Sequence, residues 1–394
     1  MNEVKIMGAV RTRRRVFALV ILAALLAGAC AQGQQALPVT VAPATPSTPP
    51  TASPAPTAHP TASSPDEPTA PPTSQPEGVT EESLADIGSP FQLEGCTAQI
   101  NSLAFSPAGD WIAAASADGS IYLWQPQEGS TARILRGDTR HARSVAFSPD
   151  GETLASAGDD GIVRLWRVSD GAVLAEIDSL LDHIYRLAFA PDGSSLAVAG
   201  NLCAIEIRDA RLGILIQTLT QPNCHGSSNG WVVSWGIAFS PDSASLVAGE
   251  GRPCCGGSLQ QYLLEAGSYG SAVRLRGYGA ATQDVEFSPD GSTLAVATSS
   301  AVIELWGTEE RALVQELEGH AYRVFDLAFS PDGRWLASAS RDATVRIWRI
   351  VDGALLQTLK TEMGPATAVA FSADGAQLAC GSEGGAVLVW SLGN

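Results

Sequence analysis

The chain is predicted to be all-β: a seven-bladed β-propeller of four-stranded antiparallel blades, closed by an N-terminal strand that completes the last blade. Three observations carry this. Phe105, Phe147, Phe189, Phe239, Phe287, Phe329 and Phe371 recur at spacings of 42, 42, 50, 48, 42 and 42 residues, and a fixed period of this size marks one supersecondary unit per repeat. Each period holds four short runs of β-branched and aromatic residues separated by turn signals. The last period stops after a third strand, Ala386–Trp390, whereas Phe91–Leu93, ahead of the first period, reads as a spare fourth strand. Pairing the two hides a sheet edge.

The unit is clearest at Leu327–Trp348. Leu327-Ala-Phe329 opens a short β-branched and aromatic run, and Ser330-Pro331-Asp332-Gly333 follows as a tight turn. Proline presets φ there, and the Asp-Gly pair tolerates positive φ. Leu336–Ser340 is the second strand, Arg341-Asp342-Ala343 a second turn, and Thr344–Trp348 a third strand with Val345 and Ile347 on one face. Leu355–Leu359 is the fourth. Blade four departs from this regularity. Its approach, Gln221–Gly230, and its second turn, Glu250–Gly257, are enlarged and account for the 50- and 48-residue spacings. Insertions in a repeat collect on loops, where function usually sits.

Gly319-His320 before the first strand and Trp348 at the end of the third resemble the WD40 repeat, over roughly residues 89–394. The aspartate usual after that tryptophan is replaced by Gln125, Arg167, Gly307, Arg349 and Ser391. The resemblance implies a buried hydrogen-bonded tetrad of His320, Ser338, Asp342 and Trp348. Its role would be structural rather than catalytic, since a buried indole and imidazole need partners. Only this blade has all four residues. Blade two keeps Ser156, Asp160 and Trp166 with Asp138 at the His position, and blade three has Val198, Leu202 and Arg208.

Three regions follow from composition. Residues 1–30 read as a signal peptide: Arg11, Arg13, Arg14 and Arg15 precede the apolar run Val16–Ala29, too short to span a bilayer. The run ends Leu26-Ala-Gly-Ala-Cys30, which resembles a bacterial lipobox, with Cys30 as the acylated lipid anchor. Free secretion after ordinary cleavage and an uncleaved anchor are the alternatives. Residues 31–86 read as a disordered linker rich in Pro, Thr and Ser, holding 13 of the 24 prolines between Pro38 and Pro76, with too little apolar surface to pack. Residues 87–394 form the propeller.

Without residues 1–30 the chain carries 19 basic and 40 acidic residues, about −21. Such a charge repels nucleic acid and anionic lipid surfaces, so membrane contact is expected through the lipid alone. Cys96 and Cys380 stand at the His and Ser positions of their blades and are expected to be buried. Cys203, Cys224, Cys254 and Cys255 fall in neighbouring loops of one face and form a candidate disulfide cluster; unpaired thiols or a metal are the alternatives. Gly226-Ser-Ser228-Asn-Gly230 matches the hydrolase G-x-S-x-G pattern, but in a loop between strands rather than a strand-to-helix elbow. Asp284, Glu286 and Asp326 on first strands could hold a cation in the channel, or be solvated or paired. His183, Tyr185, Trp231, Trp235, Tyr322 and Arg323 form a candidate partner-binding face, because Trp, Tyr and Arg anchor interfaces, with packing under the enlarged loop the rival reading for Trp231 and Trp235.

No metal-ligand set, cofactor fingerprint or credible triad is present, so neither cofactor nor enzymatic activity is expected. The leading expectation is a monomeric, exported, lipid-anchored scaffold that binds a protein or peptide on the face of the blade three–four loops. A small-ligand or cation sensor and an enzyme with a central-channel site are the alternatives.

Overall fold

The computed structural model of the protein describes residues 80–393, apart from 86, 127–130, 138–139, 203, 221–232, 252–256 and 266. The signal segment with Cys30, most of the linker, Trp231 and the cysteines at 203, 224, 254 and 255 lie outside the described residues. No described helix is long and apolar enough to cross a membrane.

Seven antiparallel sheets make the propeller, with strands in sequence order from the axis outward except that blade four branches at its third strand and the outermost strand of blade seven is Phe91–Leu93. The innermost strands are Ile100–Phe105, Ala142–Phe147, Ile184–Phe189, Val233–Phe239, Thr282–Phe287, Val324–Phe329 and Ala366–Phe371. Each packs on the next, and that of blade seven packs on that of blade one, so the ring is closed. Where described, the connections from an outer strand to the next blade's first strand and the b–c turns (between second and third strands) share one face, called upper here. Ser-Pro-Asp-Gly turns lie on the lower face. In one of them Gly333 sits at φ 70°, its N–H donating to Ser330 O at 2.8 Å while Ser330 Oγ donates to Asp332 Oδ1 at 2.6 Å.

The apolar core lies between blades rather than within them. One cluster combines Ile100, Leu103 and Trp124 of blade one with Ala368, Val387 and Val389 of blade seven. Second strands such as Trp335–Ser340 are buried along their whole length, and outer strands such as Val173–Asp178 are mostly exposed. A single sheet cannot cover its own faces; stacking supplies the cover.

Closure follows the strand pairing the sequence predicts. Phe91, Gln92 and Leu93 pair with Val389, Leu388 and Val387. Leu93 is 1% exposed, and Trp124 Nε1 donates to Glu94 O at 2.8 Å, which ties the closing segment to blade one. Two features differ from the sequence reading. The end of the segment read as linker is a helix, Glu81–Ala85, capped by a Ser83 N–H to Thr80 Oγ1 bond of 3.2 Å; it has two glutamates in its first turn, which the helix dipole favours. Leu84 anchors it at 1% exposure, and Gln357 Nε2 of blade six donates to Leu84 O. Blade four has a fifth, short strand, Ser268–Tyr269, which pairs with the far end of the nine-residue third strand Gly257–Glu265. Gln217 of blade three holds it by bonds to both Tyr269 O and Tyr269 N–H.

Candidate functional site

In all seven innermost strands the pairing skips one residue, four positions before the anchor phenylalanine. The extra residues are Asn101, Arg143, Tyr185, Trp235, Gln283, Phe325 and Thr367. A β-bulge re-aims the side chain it carries. Here each bulge stands one residue above the channel-lining positions, and all but the buried Thr367 are partly exposed there. Two of the seven staple blades: Asn101 Nδ2 donates to Ala142 O at 2.7 Å and Thr367 Oγ1 to Ile100 O at 2.6 Å. Arg143, Tyr185, Trp235 and Phe325 are half-exposed.

Three of the large ones form a continuous cluster. The Arg143 guanidinium grips Asp159 with two bonds of 2.9 Å and lies 5.6 Å over the Tyr185 ring. Tyr185 meets Trp235 at 4.9 Å between ring centres, tilted by 42°. His183 Nδ1 is 3.5 Å from Asp159. Burial alone would raise the Asp159 carboxyl, but Arg143 and the nearby imidazoles hold it below the usual range. Thus His183, Tyr185 and Trp235 of the predicted face come together across blades three and four, joined by Arg143 and Asp159 of blade two. Tyr322, 61% exposed, and Arg323 stand on blade six, elsewhere on the mouth. Arg323 stacks on Phe325 at 4.9 Å.

Below the mouth lies a channel of about 420 Å³ lined by the innermost strands. It is crossed by a residue the sequence reading did not single out. Arg186 of blade three reaches Asp284 of blade five, and Asp326 of blade six at 2.6 Å. The other carboxylate oxygens accept Leu327 N–H at 3.1 Å and Val369 N–H at 2.8 Å, each from the following blade. Gly236 of blade four makes room: a Cβ there would lie 2.7 Å from the Asp284 backbone. Burial would lower the Arg186 pKa, but the two aspartates raise it. Burial pushes Asp284 up, against the pull of Arg186 and with the push of Asp326. Glu286 Oε2 accepts Phe329 N–H at 3.0 Å, and burial beside Asp284 and Asp326 drives its pKa well above the ordinary value. The aspartates therefore spend their charge on a guanidinium. Among the described residues no group of three His, Cys, Asp or Glu is arranged to hold a metal ion.

Blade six contains the hydrogen-bonded chain named above. His320 Nε2 is 2.7 Å from Ser338 Oγ, which accepts Trp348 Nε1–H at 2.8 Å, and His320 Nδ1 is 2.8 Å from Asp342. Burial keeps the imidazole pKa below its usual value. The bonding then places the ring proton on Nδ1, facing Asp342. Other blades meet the same need differently. Trp166 Nε1 donates to Ser156 Oγ at 2.9 Å. Arg208, in the tryptophan position of blade three, donates to Glu206 at 2.7 Å and to the carbonyls of Gly213 and Asp178. Cys96 and Cys380 are buried and unpaired.

The family model described as "WD domain, G-beta repeat" matches residues 89–125, 129–167, 311–349 and 353–391. Each match begins at an outer strand and ends after the tryptophan of the next blade, one strand out of phase with the sheets. That phase leaves the first repeat's outer strand free to finish blade seven. No curated protein matches the chain. The fold is a seven-bladed β-propeller with WD40 repeats in four places, and propellers of this kind commonly serve as scaffolds that bind proteins or peptides.

Proposed function

We propose that the protein is a non-enzymatic interaction scaffold that binds a protein or peptide at the upper mouth, around Arg143, Tyr185 and Trp235. The observation that carries this is the cation–aromatic cluster itself. Arg, Tyr and Trp are the residues that dominate interface energetics, and here bulges hold them half-exposed on rigid strands. A preformed arrangement loses little side-chain freedom on binding. The test is the double variant Y185A/W235A, expected to fold with an almost unchanged melting temperature and to lose partner capture by at least about tenfold, the loss of one hot-spot contact. Capture of the same partner at wild-type affinity contradicts the reading.

We further propose that the chain is exported and tethered by a lipid on Cys30, with residues 31–79 as a spacer. The support is the basic-then-apolar segment ending in Ala-Gly-Ala-Cys30. Cys30→Ala is expected to move the protein from the membrane fraction to the soluble one; an unchanged membrane fraction rejects the tether.

A further inference from the structure

The one blade with the complete His–Ser–Asp–Trp set also presents a pair of neighbouring arginines. Arg341, in the b–c turn, donates its backbone N–H to Arg323 O at 3.1 Å, so both side chains leave from adjacent points on the upper face. Both are exposed, and neither forms an ion pair among the described residues, although the chain carries a net charge of −17. Burial and the charge of Arg341 lower the Arg323 pKa, which marks the two guanidiniums as mutually uncomfortable. Glu383 of blade seven pulls the other way without pairing. Arg346 of the same blade stacks on Trp348 at 5.9 Å, and its buried Nε–H has no partner among the described residues.

The support beneath them is rigid. Ser340 Oγ bonds to both Tyr322 O and Arg323 O, at 3.0 and 3.1 Å. Asp342 accepts Ala321 N–H at 3.0 Å and faces His320. The tetrad thus fixes the connection carrying Tyr322 and Arg323 against the turn carrying Arg341. Stacking of Arg323 on Phe325 orients the guanidinium plane and leaves its N–H edge free.

We propose that Arg323 and Arg341, flanked by Tyr322 and Phe325, bind a carboxylate side chain of an acidic peptide laid across the channel mouth. This rests on the reading of the upper mouth as a peptide-binding face and names the partner's chemistry. Charge complementarity chooses the occupant: two unpaired guanidiniums on an acidic molecule are stabilised by a planar oxyanion, which accepts two parallel N–H bonds. Aromatic surface on either side covers the aliphatic part of such a peptide.

The test is fluorescence anisotropy with the full-length protein and three labelled decapeptides: one alternating glutamate with tyrosine, one with glutamine in place of glutamate, and one with phosphoserine in place of glutamate. The glutamate peptide is expected to bind roughly tenfold more tightly than the glutamine peptide, the worth of one charge-assisted fork. R323Q and R341Q should each remove that advantage without changing the melting temperature, and salt should weaken it. Equal affinity for the first two peptides, or arginine variants that bind as the wild type, overturns the proposal. Binding of the phosphoserine peptide alone overturns the carboxylate assignment. The variant Y185A/W235A separates the two readings: if it weakens both the glutamate and glutamine peptides while R323Q changes nothing, the face stands and the acidic partner falls.

Discussion

Arg186 carries a charge across the channel to two carboxylates that lie 98 and 140 residues further along the chain. Removing such a hub leaves buried charges uncompensated, which is why the channel is better described as a braced axle than as an open pore. Glu286 beside it is in a different position. Its proton is held more tightly in the folded state than in the unfolded chain, so its stabilising contribution is fully present below the ordinary carboxyl pKa and is lost as pH climbs through the raised value. Glu286→Gln keeps an acceptor for Phe329 N–H and abolishes the titration. The variant should melt with the wild type near about pH 4 and be more stable by about 1 kcal/mol or more near about pH 8. Melting curves across that range check it; a constant difference at all pH values contradicts it.

At the scale of elements, the closing strand is short but placed where it matters. Leu93 fills the space between blades one and seven with Trp124, Val387 and Val389, and its three-residue strand covers the edge of the last sheet. Leu93→Ala is expected to cost about 2–4 kcal/mol, because a fully buried leucine leaves a cavity in a core that cannot collapse around it. Chemical denaturation measures this; a loss below about 0.5 kcal/mol, the range of surface substitutions, argues that the strand is ornamental. These elements were legible in the sequence because their causes are local. The phenylalanine period, the Ser-Pro-Asp-Gly turns and the missing outer strand are visible in one dimension. The helix Glu81–Ala85 was hidden by the surrounding proline-rich composition, although Thr80-Glu-Glu-Ser83 already held its cap. The Arg186 bridge was illegible because nothing in a strand sequence says which blade lies across the axis. The bulge ring fell between these cases. Aligning the repeats on their phenylalanines puts Arg143, Tyr185 and Trp235 at one offset, but that the offset is bulged, and so faces the mouth, required the register.

Across the whole molecule, seven sheets that could not stand alone share one ring, and the ring gives their irregular residues a common address. Blades one and seven spend their bulge residues on stapling neighbours. Blades two, three and four, and blade six on its own, spend theirs on surface. A stable, closed rim with a few large side chains presented at fixed spacing suits recognition. The central claim, that recognition happens at the upper mouth, is tested most directly by site-specific photocrosslinking in the native host. A photoreactive residue is placed at Tyr322 on the upper face or at Asp332 on the lower face, both exposed. The account predicts a discrete crosslinked partner from position 322 and none from position 332. A partner captured only from position 332 would contradict it.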